Sequence, residues 1–443
     1  MKVSELYIKK YHQFEDFTLN LTYPEGHKLA GQPLNKVCFI GQSGTGKTTL
    51  LEILENFIID IVCFGDEMGS FFMKDYGEIK IDFVSEDSSI NSFVFEQPFS
   101  ISPLKYYYQT VTILNKSWIS FWEHNSDFKI IISSSEIPLK KTNFEKSGNT
   151  FNKEDSVVIN IEHHSLGDYW QAVNSEVTAY RETLIKKSLE ISQIAQKSNF
   201  NPDDIIKATE NFRKWREETP NPIQDLADNY LDKIIGRFNL KVKTELDFEK
   251  KEDIETIKIQ QKNGKEIPFE ALSTGTKQVI LTALPLYGLK PKDSIILFDE
   301  PERSLYPDIQ TEIVDFYTSM AENSQFFFAT HSPLVAASFE PWEIVELKFN
   351  EETGNVEQEF YYDKEKERHV DNYTIYPQYL TYDGILKRVF DIKKEPNELR
   401  TGELVKLATL ESQLKHNNLS PEAKKEKFEE YKKLADQLDW DLK

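Results

Sequence analysis

The sequence has few cysteines and no long apolar run. Its 443 residues contain two cysteines, Cys38 and Cys63. Cys38 falls inside a predicted buried strand, which argues against a disulfide framework and against a cysteine-based zinc site. No stretch of roughly 18 apolar residues occurs, and the residues after Met1 lack an apolar signal core. We therefore expect a cytoplasmic protein that does not span a membrane.

Positive charge is also scarce. The chain has 53 lysines and arginines against 74 acidic residues, and its formal net charge is -21. An evenly acidic surface repels phosphate backbones, so broad binding to duplex nucleic acid is disfavoured. A local basic groove remains an alternative, and nucleic acid therefore remains a possible partner.

A glycine-rich turn between a predicted strand and a predicted helix is the strongest motif. It fits G-x-x-x-x-G-K-[ST] at Gly41, Gly46, Lys47 and Thr48. Glycines let backbone N–H groups curl around a phosphate, and the helix N-terminus adds its dipole. We predict that Lys47 reaches the β- and γ-phosphates of ATP and that the Thr48 hydroxyl binds Mg²⁺. The predicted nucleotide contacts are Gly41, Gln42, Ser43, Gly44, Thr45, Gly46, Lys47, Thr48 and Thr49.

An apolar strand over 294–298 ends in two acidic residues, Asp299 and Glu300. Beside a P-loop, the first acid is expected to hold the Mg²⁺ shell, and the second is expected to polarise the attacking water. A buried strand that meets a polar loop would produce the same pattern by itself. The P-loop makes the nucleotide interpretation the stronger one.

The segment 272–278, with the sequence LSTGTKQ, opens an apolar helix shortly before that strand. A serine hydroxyl and a glycine amide at a helix N-terminus form a second anion site. Because the chain already has a P-loop, we predict that Ser273, Gly275 and Gln278 bind the γ-phosphate held by another subunit. The alternative is an ordinary N-cap. His331 follows a further apolar strand and is predicted to contact the γ-phosphate.

The order of the predicted elements indicates an α/β fold with a largely parallel sheet and its chemistry at the carboxyl ends of the strands. We predict four parts: an N-terminal lobe with the P-loop (1–165), a helical insertion (166–238), a C-terminal lobe with the remaining motifs (239–364) and a helical tail (365–443). The insertion could be a helical layer packed on the head or a projecting arm.

The P-loop, the LSTGTKQ segment, the acidic strand end and His331 follow one another along the chain. In this order they resemble the motifs of the ABC-type ATPase heads of the SMC, Rad50 and RecF proteins. The segments 299–307 (DEPERSLYP) and 329–333 (ATHSP) look most like the OLD-type branch, which includes ATPase subunits of anti-phage systems such as PARIS and Septu. The resemblance covers roughly 1–60 and 268–347. It implies an α/β P-loop ABC-type ATPase head with a mixed β lobe, a helical insertion and a C-terminal helical tail.

The resemblance also implies a set of roles and partners. Lys47, Glu300 and His331 become the catalytic residues of ATP hydrolysis, with Mg²⁺ as cofactor. The protein would form a homodimer or a higher oligomer that encloses ATP at its interface. A glutamine between the head lobes would contact the metal, and of Gln97 and Gln109 we favour Gln97, so that Thr48, Asp299 and Gln97 form the predicted metal set.

The chain departs from the family pattern in two respects. Tyr306 replaces the usual histidine in the loop after the acidic pair. We expect little loss of function, because the resemblance implies that this loop acts mainly by packing across the dimer. More than half of the chain separates Lys47 from Ser273. The resemblance implies a far shorter separation for the ATPase subunits of transporters, which counts against a transporter.

OLD proteins carry a TOPRIM nuclease with a D-x-D strand end. After His331 the only D-x-D is Asp439-Trp440-Asp441, and no predicted strand precedes it. We therefore expect a separate nuclease or toxin as effector, controlled by this ATPase in anti-phage defence. Two alternatives stay open: an ATP-dependent scaffold with incidental turnover, and a RecF-like DNA repair ATPase.

Overall fold

The computed structural model describes residues 1–63, 77–84, 90–96, 110–113, 129–133, 158–160, 165–247, 257–359, 376–390, 398–415, 420–438 and 440. It divides into two compact units, Met1–Leu380 and Thr381–Lys443. Both candidate metal-contacting glutamines, Gln97 and Gln109, lie outside the described residues, as do Asp439 and Asp441.

The larger unit alternates strands and helices. Its strands are β1 Lys2–Tyr11, β2 Phe14–Asn20, β3 Lys36–Gly41, β4 Ile79–Val84, β5 Ile90–Glu96, β6 Thr110–Ile113, β7 Ile130–Ser133, β8 Val158–Asn160, β9 Leu240–Val242, β10 Ile259–Gln261, β11 Glu266–Ile267, β12 Ile295–Asp299, β13 Gln325–Ala329, β14 Ile344–Phe349 and β15 Val356–Glu359. Its helices are α1 Lys47–Cys63, α2 Ser165–Lys197, α3 Pro202–Glu218, α4 Pro222–Asp225, α5 Asp232–Ile235, α6 Thr274–Leu289, α7 Pro307–Gln310, α8 Ile313–Thr318 and α9 Pro333–Ala336.

A seven-stranded sheet in the order β15-β14-β3-β13-β12-β7-β8 forms the centre of this unit. Its described pairings are parallel except for β14 with β15. Every residue of β12 and β13 is buried, as expected for parallel strands that are covered on both faces. The P-loop strand β3 pairs with β13 and β14, so the carboxyl ends of β3, β12 and β13 meet at one edge of the sheet.

A second sheet is antiparallel, in the order β2-β1-β4-β5-β6, and forms the β lobe. The sequence pattern predicts three strand-like pieces, over 106–114, 128–133 and 157–162, and these separate in the structure. β6 joins this lobe, whereas β7 and β8 join the central sheet. The burial patterns of the two sheets differ accordingly. β4 alternates between buried and half-buried residues, as a strand with one covered face does, but all four residues of β7 are buried.

The helical insertion is a pair of helices, α2 and α3, followed by a helical run over 222–238 that includes a π-helical stretch, Leu226–Leu231. Val173 and Val177 of α2 are buried, and Val173 lies 3.6 Å from where a Cβ on Gly288 of α6 would be. Farther along, Ile194 and Phe200 are exposed. The base of the insertion therefore packs on the head, and its far end carries exposed apolar side chains.

One predicted helix is divided in the structure. The sequence pattern predicts a single helix over 309–321, but α7 and α8 are separated by a turn at Thr311 and Glu312. The N–H of Glu312 donates to the carbonyl of Ile309 at 3.0 Å, which is the tighter bonding pattern of a 3₁₀ turn.

The smaller unit contains α10 Tyr382–Arg388, α11 Glu398–Lys415 and α12 Pro421–Leu438. Leu407, Ala435 and Leu438 form its buried cluster, which joins α11 to α12 as a helical hairpin. The predicted fold class is confirmed: an α/β P-loop head with parallel and antiparallel sheets, a helical insertion and a C-terminal helical tail. Among the described helices, none combines the length and the hydrophobicity needed to cross a membrane.

Candidate functional site

The P-loop lies between β3 and α1 at the carboxyl edge of the central sheet. The N–H and the hydroxyl of Thr45 both donate to the carbonyl of Gln42, at 3.3 and 2.8 Å, and close the loop on itself. Thr45 is buried, whereas Gln42, Ser43 and Gly44 are exposed. The exposed half of the loop therefore offers its backbone to a ligand.

Two glycines of the motif are required by packing. Gly46 has a φ of +89°, and a Cβ there would collide with the Gln13 amide and would come within 2.7 Å of the Phe14 ring. A Cβ on Gly41 would collide with the carbonyl oxygen of Leu347. The turn between β1 and β2 packs against Gly46, and the strand β14 packs against Gly41. Neither position has room for a side chain.

Lys47 lies inside this loop and is only 6% exposed. Its Nζ donates to the carbonyls of Gly41 and Gln42, at 3.0 and 3.1 Å. Burial lowers the pKa of Lys47 to about 8, and the nearby carboxylates of Glu300 and Asp299 partly offset this. The ammonium is therefore mostly retained near neutral pH, inside the loop that is predicted to enclose a phosphate.

Thr48 and Asp299 contact each other across the sheet edge. The Thr48 hydroxyl lies 3.1 Å from Oδ2 and 3.3 Å from Oδ1 of the Asp299 carboxylate. The pairing of β12 with β13, and of β13 with β3, aligns Asp299, Ala329 and Phe39 in one row. The sheet register thus brings together two residues that are far apart in sequence, as the motifs predict.

Glu300 and His331 follow the same edge on neighbouring strands. Glu300 has a φ of +45°, and its N–H donates to the Ala329 carbonyl at 2.8 Å. Nε2 of His331 lies 3.7 Å from Oε1 of Glu300. Burial and the Lys47 charge lower the pKa of His331, although Glu300 opposes them, so the imidazole is mainly neutral at neutral pH.

Helix α6 begins at the LSTGTKQ segment. Ser273 is its N-cap, and the Ser273 hydroxyl accepts a hydrogen bond from the Thr276 N–H at 3.2 Å. Ser273 and Thr274 are exposed, whereas Gly275 and Gln278 are buried. The capping alternative is therefore present in the structure, and contact of Ser273, Gly275 and Gln278 with a nucleotide stays a prediction.

Several residues near these motifs were given no role by the sequence analysis. Gln13 and Phe14 pack on Gly46, and Glu302, Gln310 and Thr330 lie around the loop that carries His331. Glu302 and Thr330 stand within the segments that carry the family resemblance, which is the only signal that could have drawn attention to them.

The side chains at the sheet edge suit a magnesium ion. A hydroxyl and a carboxylate in contact, Thr48 and Asp299, are oxygen donors of the kind that Mg²⁺ prefers alongside phosphate oxygens. Within the described part of the chain, no group of three or more His, Cys, Asp or Glu side chains forms a metal cluster. The contact of Gln97 with the metal stays a prediction, since Gln97 lies outside the described residues.

Comparisons with known proteins give one family and several distant structural relatives. A search of curated proteins gave no match. Solved structures with some similarity include an SMC head domain with an extended coiled coil bound to the C-terminal domain of ScpA, from Pyrococcus furiosus, at 14% identity and a TM-score of 0.42, over 81% of this chain and 95% of that one. Another is the SMC head domain from Thermotoga maritima, at 12% identity and a TM-score of 0.38, over 81% of this chain and 98% of that one.

A protein-family model matches residues 36–337, a span that contains the P-loop, the acidic pair and His331. Its description is "AAA domain, putative AbiEii toxin, Type IV TA system". Because the match covers more than half of the chain and includes the nucleotide-binding loop described above, this protein belongs to that family of AAA-domain nucleotide-binding ATPases.

Proposed function

We propose that this protein is an SMC-like, ABC-type ATPase that binds and hydrolyses Mg·ATP between two copies of itself and thereby controls a separate effector. One observation carries the proposal. The hydroxyl of Thr48 meets the carboxylate of Asp299 at 3.1 Å, directly beside Glu300. P-loop, acidic strand end and candidate base therefore lie at a single edge of the sheet, as phosphoryl transfer to water requires.

The side chains divide the work as follows. The backbone of the P-loop and the Lys47 ammonium bind the triphosphate, and Thr48 and Asp299 would hold Mg²⁺, which supplies charge neutralisation at the phosphate oxygens. Glu300 orients a water molecule and accepts its proton, because a carboxylate at this position can reach the solvent side of the γ-phosphate. Nε2 of His331 lies 3.7 Å from Oε1 of Glu300, and the imidazole would donate a hydrogen bond to the γ-phosphate.

A second copy of the chain completes the site in this proposal. The exposed residues Ser273 and Thr274 lie at the N-terminus of a 16-residue helix, whose dipole favours an anion. The P-loop of the same chain already provides one phosphate cradle. The N-terminus of α6 is therefore proposed to bind the γ-phosphate held by the P-loop of the partner copy.

The setting that we propose is anti-phage defence, with an OLD-like ATPase that acts on a separate nuclease or toxin. The resemblance of 299–307 and 329–333 to that branch supports this, and the family description names a type IV toxin–antitoxin system. A RecF-like role on DNA is less favoured, because the formal net charge of -21 opposes binding to a polyanion.

The test uses Glu300→Gln in the full chain. This isosteric change removes the proton acceptor but keeps the volume of the side chain, so hydrolysis should slow by about 100-fold or more. ATP should still bind, and a dimer should accumulate with Mg·ATP, measured by light scattering during gel filtration. The matched control is Glu322→Gln, which alters an exposed glutamate in an ion pair with Lys292, beyond the opposite end of β13.

The outcomes separate the candidate functions. If Glu300→Gln hydrolyses ATP at the rate of the unaltered protein, Glu300 is not the base. If ATP holds the dimer together equally well with and without turnover, and only Lys47→Ala disrupts it, the scaffold function is favoured. Salt-dependent binding to DNA ends, measured by fluorescence anisotropy, would favour the repair function.

A further inference from the structure

The loop that carries His331 is held on both sides by side chains from the segment after the acidic pair. Thr330 precedes His331, and its hydroxyl donates to Oε1 of Glu302 in a short hydrogen bond. Ser332 follows His331, and its hydroxyl donates to Oε1 of Gln310 at 2.6 Å. The two neighbours of His331 are therefore both anchored to the stretch 302–310.

Within the loop, the same groups bond to each other and to the central sheet. The N–H of Ser332 donates to the Thr330 hydroxyl at 2.8 Å, and the N–H of Thr330 donates to the Phe39 carbonyl at 3.1 Å. Gln310 donates in turn to the Leu305 carbonyl at 2.9 Å. The imidazole of His331 is held less tightly than this backbone, because its nearest described carboxylate oxygen, on Glu300, is 3.7 Å away.

Glu302 is an unusual residue to find in this place. It is only 7% exposed, and its Oε2 is buried with no hydrogen-bond partner among the described residues. Burial raises the pKa of Glu302 to about 7, while the Thr330 hydroxyl and the backbone N–H groups of Glu302 and His331 partly offset this effect. Burying a carboxyl group lowers the stability of a protein unless hydrogen bonds compensate for the loss of water. The position of Glu302 beside the His331 loop therefore suggests a function for it.

We propose that Glu302, through Thr330, is a positioning residue that fixes the His331 loop so that the imidazole faces Glu300. Gln310 does the same from the other side, through Ser332. The inference rests on the proposed function, because it assigns His331 and Glu300 to the hydrolysis of ATP. Neither Glu302 nor Gln310 touches the nucleotide in this account, and both act on the reaction only through the geometry of His331.

The experiment compares three variants of the full chain. Thr330→Val removes the hydroxyl but keeps the shape of the side chain, and Thr330→Ser restores the hydroxyl. Glu302→Leu removes both carboxyl oxygens and with them the acceptor of the Thr330 hydroxyl. The matched control is Glu343→Leu, since Glu343 is also a buried glutamate, at 4% exposure, but it caps the 3₁₀ turn Pro341–Glu343. ATP affinity, kcat and the ¹⁵N signals of the His331 imidazole are measured for each, with His331→Gln used to assign the signals.

We expect Thr330→Val and Glu302→Leu to lower kcat by about 100-fold while the ATP affinity changes less than about threefold, because misplacement of a group near the reaction costs rate and not binding. The imidazole signals should shift in both variants. Thr330→Ser should recover most of the rate, and Glu343→Leu should leave kcat and the signals unchanged. A thermal melt shows which variants fold, and either of the two test variants is sufficient.

Two results would overturn the inference while leaving the proposed function intact: an unchanged kcat with unshifted imidazole signals, or a Thr330→Ser variant as slow as Thr330→Val. If the unaltered protein does not hydrolyse ATP, the proposed function fails instead. The imidazole signals then decide by themselves, since a shift in Thr330→Val supports the positioning of His331 and an unchanged spectrum refutes it.

Discussion

The N-termini of α1 and α6 both look like anion sites in the sequence, but they are built differently. At α1 the loop is enclosed by groups from other elements: the turn between β1 and β2 packs on Gly46, and the Thr48 hydroxyl meets Asp299. At α6 the Ser273 hydroxyl is already bonded to Thr276 of its own helix. A phosphate site at α1 can therefore be assembled within one chain, whereas one at α6 needs additional groups.

The burial of the two motifs differs in the same sense. Lys47, the cation of the first motif, is enclosed at 6% exposure, whereas Ser273 and Thr274 of the second face solvent. Charge enclosed in a low-dielectric loop interacts more strongly with a phosphate than an exposed hydroxyl does. The comparison predicts that α1 decides whether ATP binds and that α6 decides only what happens after binding.

The largest expected effect is that of Lys47→Ala. Loss of the ammonium from the loop removes charge-assisted hydrogen bonds to the phosphates, so ATP affinity should fall by about 100-fold or more. Titration with a fluorescent ATP analogue measures this. The control is Lys36→Ala, at the other end of β3, where the ammonium bonds to the Ser338 carbonyl and should not affect ATP. An unchanged ATP affinity in Lys47→Ala would show that Lys47, at the N-terminus of α1, does not bind the phosphates.

The next effect separates capping from nucleotide binding at Ser273. Aspartate caps a helix as well as serine does, so Ser273→Asp should retain the stability of α6. Its negative charge would nevertheless repel the γ-phosphate of a partner copy, and ATP-dependent dimerisation should weaken by about tenfold or more. Analytical ultracentrifugation with Mg·ATP measures the dimer. A dimer of ordinary strength would leave Ser273 with a capping role alone.

A pH effect should appear at α1. The pKa of Lys47 is lowered to about 8, so its ammonium is present below that pH and is lost as the pH rises through it. Because phosphate binding needs the ammonium, ATP affinity should be nearly constant below about pH 7 and should fall by up to about tenfold per unit above pH 8. Isothermal titration calorimetry at several pH values measures this.

Lys47→Arg provides the control for that measurement. Arginine stays protonated throughout this range, so whatever affinity the variant retains should not decline with pH. An affinity that declines equally in both proteins would place the titrating group elsewhere.

The smallest effect is on stability at α6. Ser273→Ala removes the hydroxyl that accepts from the Thr276 N–H, and the free energy of unfolding should fall by about 1 kcal/mol, the usual contribution of an N-cap. Urea denaturation measures it. A loss well below that value would show that the cap contributes little and that the hydroxyl is available to another partner.

Much of this architecture could be predicted because the signals are local. The strand predicted over 294–298 lies at Ile295–Asp299 as β12, since it is a short apolar run between turn residues. The contact of Thr48 with Asp299 follows from the parallel sheet. The membership of β7 in the central sheet could not be read from its own residues, because three isoleucines followed by a serine fit either sheet.

The sequence alone determined which residues are the candidates for nucleotide binding: the glycines of the P-loop, Lys47, Thr48 and the pair Asp299 and Glu300 have the types and spacings of a P-loop and its acidic strand end. Only the tertiary structure decided how these groups are supported. Gly46 is fixed by Gln13 and Phe14, and His331 lies in a loop anchored by Glu302 and Gln310. Such contacts join residues that are distant along the chain, and a side chain's burial depends on everything that packs around it, so no local pattern records it.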